Sequence, residues 1–305
     1  PHLQIPAIDE FPRYYNIAIR TMAPLLALAT NSPFLPADLY SEVDDPHRLV
    51  AETFHELRIP VFEQSINAGD EKVRFPHDIA APTDVIHRIA DDAVRAPFLR
   101  EMVENDDPDG FRDRFWELDH QRGSYWRWLR GLPGGQPVGE GTERSLRIEY
   151  RPLPTQPTVG ENIGFQWLTI GLIMGLIATE HPLYTLDWRT AKQNFYGVVE
   201  AGLDAEIEWI DRSGTPTADR SVVFEEMFRI ARRGLNDAGL DDAGIERYLK
   251  PIEARWRTGV TPSEWKRSTV SEYLDSGASL EPAIVQMQRD YFANSANGRP
   301  VTDWK

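Results

Sequence analysis

Apolar positions follow three rhythms along this chain. At its start Leu3 and Ile5 alternate with His2 and Gln4, a period of two that predicts a strand carrying the imidazole and the amide on one face. From Phe11 the spacing lengthens: Phe11, Tyr14, Ala18, Met22, Leu25 and Ala29 recur every three or four residues. That predicts a helix with one apolar stripe, capped by Asp9, kinked at Pro24 and stopped at Asn31-Ser32-Pro33. Residues 34–45, rich in proline and aspartate, read as a loop. In residues 46–62, Pro60 predicts that any helix ends before it, which leaves Arg58 near an element boundary, either salt-bridged to Glu52 or Glu56 or pointing at a site. Residues 70–83 are turn-rich, and a helix is predicted over residues 83–105 with Val85, Ile89, Ala93, Phe98 and Met102 inward. In residues 111–132 the aromatics Phe111, Phe115, Trp116, Tyr125, Trp126 and Trp128 alternate with Arg122, Arg127 and Arg130 at helical spacing, predicting a packed helix face, and a loop begins at Leu132-Pro133-Gly134-Gly135.

Residues 144–157 return to period two. Ser145, Arg147, Glu149 and Arg151 alternate with Leu146, Ile148 and Tyr150, so one face packs and the other sets a carboxylate among guanidiniums, until Pro152, Pro154 and Pro157 end the strand. Two readings fit. One is a solvated sheet face with an Arg-Glu-Arg network; the other is a site for a phosphorylated, metal-bound ligand, because a carboxylate suits Mg²⁺ and an arginine suits a phosphoryl oxygen. The third rhythm is the continuous apolar run of residues 163–178, shorter than the ~20 residues a bilayer span needs and read as a helix buried on all sides, with Gly164, Gly171 and Gly175 allowing close approach. From Asp187 onward helices are predicted at residues 188–210, 219–235, 241–256, 261–274 and 281–294. Strands in the first half and helices in the second predict an α+β fold.

The chain has 305 residues, ample for a core, and is read as a single catalytic-type domain over residues 1–305. A net charge of -15 argues against nucleic-acid and anionic-membrane partners, which need a positive surface. The lack of any cysteine removes disulfides, thiolate metal sites and thiol nucleophiles, and fits a reducing, cytoplasmic compartment. No signal peptide is visible, and the chain opens at Pro1 in a strand already under way, the pattern expected of a protein truncated at its N-terminus.

Five segments, in order, resemble the glutamate–cysteine ligase type 2 family of carboxylate–amine ligases. They are His2-Leu3-Gln4, the run from Leu25 to Pro33, Glu56-Leu57-Arg58-Ile59 with Phe62-Glu63-Gln64-Ser65, Ile148-Glu149-Tyr150-Arg151 continuing to Pro157, and Gln193-Asn194 with Gly202-Leu203-Asp204-Ala205. The resemblance implies an antiparallel sheet of glutamine-synthetase-like type with flanking helices. It also implies an ATP- and Mg²⁺-dependent ligase of glutathione biosynthesis that joins the side-chain carboxylate of glutamate to an amine, best known as that of cysteine, through an acyl phosphate. Carried over by position, His2 and Glu149 would be metal ligands, Arg151 would steady the transferring phosphoryl group with Arg147 also on ATP, and Arg58 and Gln4 would bind substrate. The expected partners are small molecules, and the reading is compatible with a homo-oligomer.

Two departures qualify the expectation. The family also uses carboxylates on strands before its histidine strand, so a polypeptide starting at that histidine would be inactive. Many relatives carry arginine near the position of Glu200, and the reversed charge would change the amine acceptor or mark a lost activity, leaving a member that only binds nucleotide or a partner.

Overall fold

A computed structural model describes residues 1–65, 73–95, 127–134 and 145–304. The mixed, helix-rich α+β architecture expected from the sequence is present, and it divides into two compact units. One, the sheet unit, comprises His2–Asn16 and Pro60–Arg151; the other, the helical unit, comprises Pro1, Ile17–Ile59 and Pro152–Lys305.

In the sheet unit, β1 (His2–Ile5), β2 (Leu129–Gly134) and β3 (Ser145–Tyr150) form an antiparallel sheet in the order β1-β3-β2. β3 is central, so every backbone donor along it can find a partner on one side or the other. Its apolar face is closed by Phe11 and Tyr15, from the first turns of α1 (Phe11–Ala29), and by Val85 of α4 (Thr83–Arg95). A methyl group added at Gly131 would come within 2.6 Å of Phe11 Cζ, and the Tyr15 hydroxyl donates to the Leu129 carbonyl at 3.0 Å. Trp128 is buried against Phe62 and its indole N–H donates to Glu63 Oε1 at 2.8 Å, which satisfies the one polar atom of that large side chain.

Several local expectations change. Residues 129–134 are a strand, not the end of a helix and the start of a loop. Leu129-Arg130-Gly131-Leu132 carries a period of two beneath the aromatic spacing, and Pro133 is tolerated because among the described residues β2 is an edge strand, with no outer ladder to break. Asp9 does not cap α1 but sits inside a 3₁₀ turn, Ile8–Glu10, that leads into it. α1 holds Pro24 inside it, and from Ile17 to Ala29 it is buried on all sides rather than along one stripe; Tyr15 is buried where Tyr14 was expected. Pro60 does not end a helix. After α2 (Pro46–Glu52) it lies in the first turn of α3 (Arg58–Ser65), where its missing N–H costs nothing. The helix expected over residues 83–105 is present as far as Arg95, and the rest of it, like the aromatic cluster up to Trp126, lies outside the described residues.

The helical unit is built on α5 (Val159–Ala178), the apolar run. It is long and apolar enough to cross a membrane, yet most of it is buried inside this unit. Its glycines set the packing against α7 (Arg220–Asp237) and α8 (Asp242–Thr258). A Cβ at Gly171 would approach the Ala231 carbonyl oxygen to 2.6 Å, one at Gly175 the Ile230 carbonyl to 2.4 Å, and one at Gly234 the Gly171 carbonyl to 2.1 Å. Backbone meets backbone, and no larger residue fits. α6 (Trp188–Ala201) stops nine residues before the expected end at residue 210, because Gly202 takes φ +59°; a short hairpin of β4 (Trp209–Ile210) and β5 (Pro216–Thr217) follows. The remaining helices, α9 (Pro262–Asp275) and α10 (Leu280–Ala296), lie close to the expected bounds, with Asp219, Asp241 and Thr261 capping α7, α8 and α9 as accepting N-caps.

Candidate functional site

The ladder of the three-stranded sheet brings most of the residues singled out in the sequence onto one face. His2 lies directly across from Glu149 and Gln4 from Arg147 on the β1 side; on the β2 side Arg130 lies across from Glu149. Residues opposite each other share a face, so His2, Gln4, Arg130, Arg147 and Glu149 form a single polar surface at the centre of the sheet.

Glu149 is its hub. Arg130 reaches Oε2 at 2.6 Å, Arg151 Nη1 reaches Oε1 at 2.8 Å, and His2 Nε2 stands 3.7 Å from Oε1. Burial by itself would raise the Glu149 carboxyl; the hydrogen bonds and charges of Arg130 and Arg151 outweigh it and hold the group below the ordinary glutamate range. The Arg151 backbone N–H donates to the Trp128 carbonyl at 2.9 Å, which extends the pairing one residue past the strand and fixes where its side chain starts. Arg147 differs from its neighbours. Its Nε is buried without a hydrogen-bond partner, and among the described residues no carboxylate pairs with it. Among the described residues the polar face therefore carries three guanidiniums for one carboxylate, an arrangement suited to oxyanions.

Arg130 is the member that sequence reasoning missed. It was absorbed into an aromatic cluster read as a helix face, although the alternation Leu129-Arg130-Gly131-Leu132 was available as a signal.

Arg58 belongs to the helical unit. The residues before it thread between two other motifs. The Leu57 N–H donates to the Ser32 carbonyl, and the N–H groups of His55 and Glu56 donate to the carbonyls of Glu200 and Val199 at the end of α6. Glu56 is wholly buried, and burial raises its carboxyl even though Arg58 and the Asn31 N–H pull the other way. Its Oε2 accepts from the Asn31 N–H at 2.9 Å and its Oε1 from Arg58 Nε at 3.0 Å, while Arg58 Nη2 donates to the Pro152 carbonyl. The salt bridge foreseen with Glu56 thus exists, and it is a buried anchor rather than a surface pair. Beneath it, Arg255 is fully buried and bonds Glu161, Gln156 and the Leu28 carbonyl through its two Nη atoms, a network that ties the Pro154–Pro157 segment to α1 and α5 while Nε is left without a hydrogen-bond partner. Glu200 is exposed and takes part through its backbone carbonyl.

For a divalent cation the sheet face offers two donors, His2 Nε2 and Glu149 Oε1. Among the described residues no group of three or more acidic or histidine side chains could hold a metal. Of the two, the carboxylate suits Mg²⁺, which is held by one or two carboxylates with waters and phosphate oxygens, and the imidazole is a softer donor beside it; the set does not fit an all-protein cage.

Fold and site together define an α+β protein with a charged sheet face, carboxylate at the centre and guanidiniums around it. The model of the glutamate-cysteine ligase family 2 matches residues 1–291, and the chain belongs to that family. Membership supports a carboxylate–amine ligase type of function. No curated protein matches the chain.

Proposed function

We propose that this protein joins the γ-carboxylate of glutamate to an amine, with cysteine as the acceptor and γ-glutamylcysteine as the product, at the expense of ATP. The observation that carries the reading is the position of Glu149, between His2 on one neighbouring strand and Arg130 on the other, with Arg151 closing the same face. In this scheme His2 and Glu149 would hold Mg²⁺, which would supply positive charge against the phosphates. Arg151 and Arg130 face the oxygens of the transferring phosphoryl group, where negative charge spreads as the bond to ADP breaks and the bond to the carboxylate forms. Arg147, which has no carboxylate partner among the described residues, binds a further ATP phosphate, and Gln4 lines the same face. Arg58, which the resemblance assigns to the substrate carboxylates, has its orientation fixed within the helical unit by Glu56 and the Pro152 carbonyl. The amine then attacks the activated carbonyl and phosphate leaves.

Incubation of the full-length protein with glutamate, cysteine, ATP and Mg²⁺ should release phosphate and yield γ-glutamylcysteine in equal amounts. No phosphate release with any amine acceptor overturns the proposal.

One observation favours a second reading, a member that binds nucleotide without turning it over: both oxygens of Glu149 already accept from guanidiniums. Calorimetry showing Mg²⁺-dependent ATP binding with no phosphate release would select it, and turnover would remove it.

A further inference from the structure

A cavity of about 430 Å³ opens in the helical unit between the segment from Pro33 onward and one side of α10, lined by none of the residues given a role above. Phe34, Ile284, Met287 and Phe292 make its walls, and Phe292 stays 65% exposed although it is large and apolar. Two cations line the same space: Lys266 from α9, nearly buried, and Arg289 from α10, exposed.

Lys266 is the unusual member. Its ammonium donates to the Asn31 carbonyl at 2.7 Å and stands 4.2 Å from the centre of the Tyr291 ring, yet among the described residues no carboxylate lies within ion-pair distance of it. An ammonium has three donors, and here one acceptor and one ring face serve them. The Glu56 carboxylate acts on this buried charge only from beyond ion-pair distance, so the cost of burying it is compensated in part and an anion arriving in the cavity would compensate it further. Burial pushes its pKa down to about 8, with the Glu56 charge pulling the other way, so it still carries its proton at neutral pH. Arg289 likewise has no carboxylate partner among the described residues.

We propose that this cavity binds a small amphipathic monoanion, a carboxylate with an aliphatic or aromatic body, whose charged end meets Lys266 and Arg289 and whose body lies against Phe34, Ile284, Met287 and Phe292. The size lies within the range of small-molecule sites, and the mixture of apolar walls with a few convergent polar groups is their usual make-up. The inference does not depend on the ligase reading, since none of these residues belongs to the sheet face. It adds a consequence: the carbonyl that holds Lys266 is that of Asn31, whose N–H is held by Glu56, the anchor of Arg58.

Octanoate serves as the probe, titrated calorimetrically into the full-length protein at neutral pH. The expected result is saturable one-site binding with Kd below about 1 mM, roughly tenfold weaker for octanamide, which has the same body and no charge. Lys266→Met should weaken octanoate binding about tenfold and leave octanamide unchanged. Val285→Trp, at the half-exposed lip, should block both probes and remains informative if Lys266→Met fails to fold. Absence of saturation by octanoate at ~10 mM, equal affinity for the two probes, or octanoate binding unaltered by Val285→Trp each overturns the proposal.

Discussion

Arg130 faces Glu149 squarely across the β2–β3 ladder and meets its Oε2 at 2.6 Å. The pair is part-exposed, so water screens it, and its net worth is about 1 kcal/mol. The sign of its pH dependence follows from the lowered carboxyl: the stabilisation is in place above the ordinary glutamate value of 4.5 and disappears as pH falls through the lower folded-state value. Arg130→Ala should therefore return the Glu149 carboxyl toward that ordinary value, so that its protonation, followed by NMR through an acid titration, begins at higher pH than in the wild type.

His55 gives a second, larger pH effect. Burial first, and the neighbouring Arg267 charge second, depress its pKa to about 4 from the usual 6.5, so the folded protein keeps it neutral while the unfolded chain protonates it. Between those values the unfolded state binds more protons, and stability falls as pH drops from 6.5 toward 4, by up to ~3 kcal/mol, then levels off. Replacing His55 with Asn should remove that part of the slope. Denaturant midpoints compared at two pH values within the window, for both proteins, check it.

Gly234 marks where α5 and α7 touch through their backbones. A methyl group there would stand 2.1 Å from the Gly171 carbonyl oxygen, and a main-chain atom inside a helix cannot give way as a side chain would. Gly234→Ala should cost about 3 kcal/mol and lower the melting temperature by roughly 5–10 °C. A wild-type melting curve for the variant would show that the two helices can separate without penalty.

The conformation of Gly202 leads to a related expectation at the other motif. Its φ of +59° disfavours any side chain, and a Cβ would press on His55 Nδ1 at 2.5 Å. Gly202→Ala should cost about 2–4 kcal/mol and loosen the segment leading to Arg58. Amide exchange at Glu56, whose N–H bonds the Val199 carbonyl, should accelerate accordingly.

The sequence made some of this legible and hid the rest for identifiable reasons. β1 and β3 could be read because their alternation puts apolar residues on one face and charge on the other, and their register then placed His2 opposite Glu149. The C-terminal helices could be read because accepting caps at Asp219, Asp241 and Thr261 announce them. β2 was hidden, since aromatics spaced for a helix overlap it and Pro133 argues against a strand unless the strand is known to be at an edge. Arg130 was lost with it. The end of α6 was missed because apolar residues continue through Ile207, Trp209 and Ile210, and only the backbone conformation at Gly202 stops the helix. The buried role of Glu56 was out of reach, because a Glu and an Arg two positions apart look the same in sequence whether water surrounds them or not.

The central claim is that the polar face of the three-stranded sheet carries out phosphoryl transfer to a carboxylate, and Glu149→Gln addresses it with almost no change of shape. Phosphate release from ATP, dependent on glutamate, amine and Mg²⁺, should fall by about 100-fold or more in this variant while its melting temperature stays within a few degrees of the wild type. Turnover equal to that of the wild type, with Gln in place of the hub carboxylate, would contradict the account.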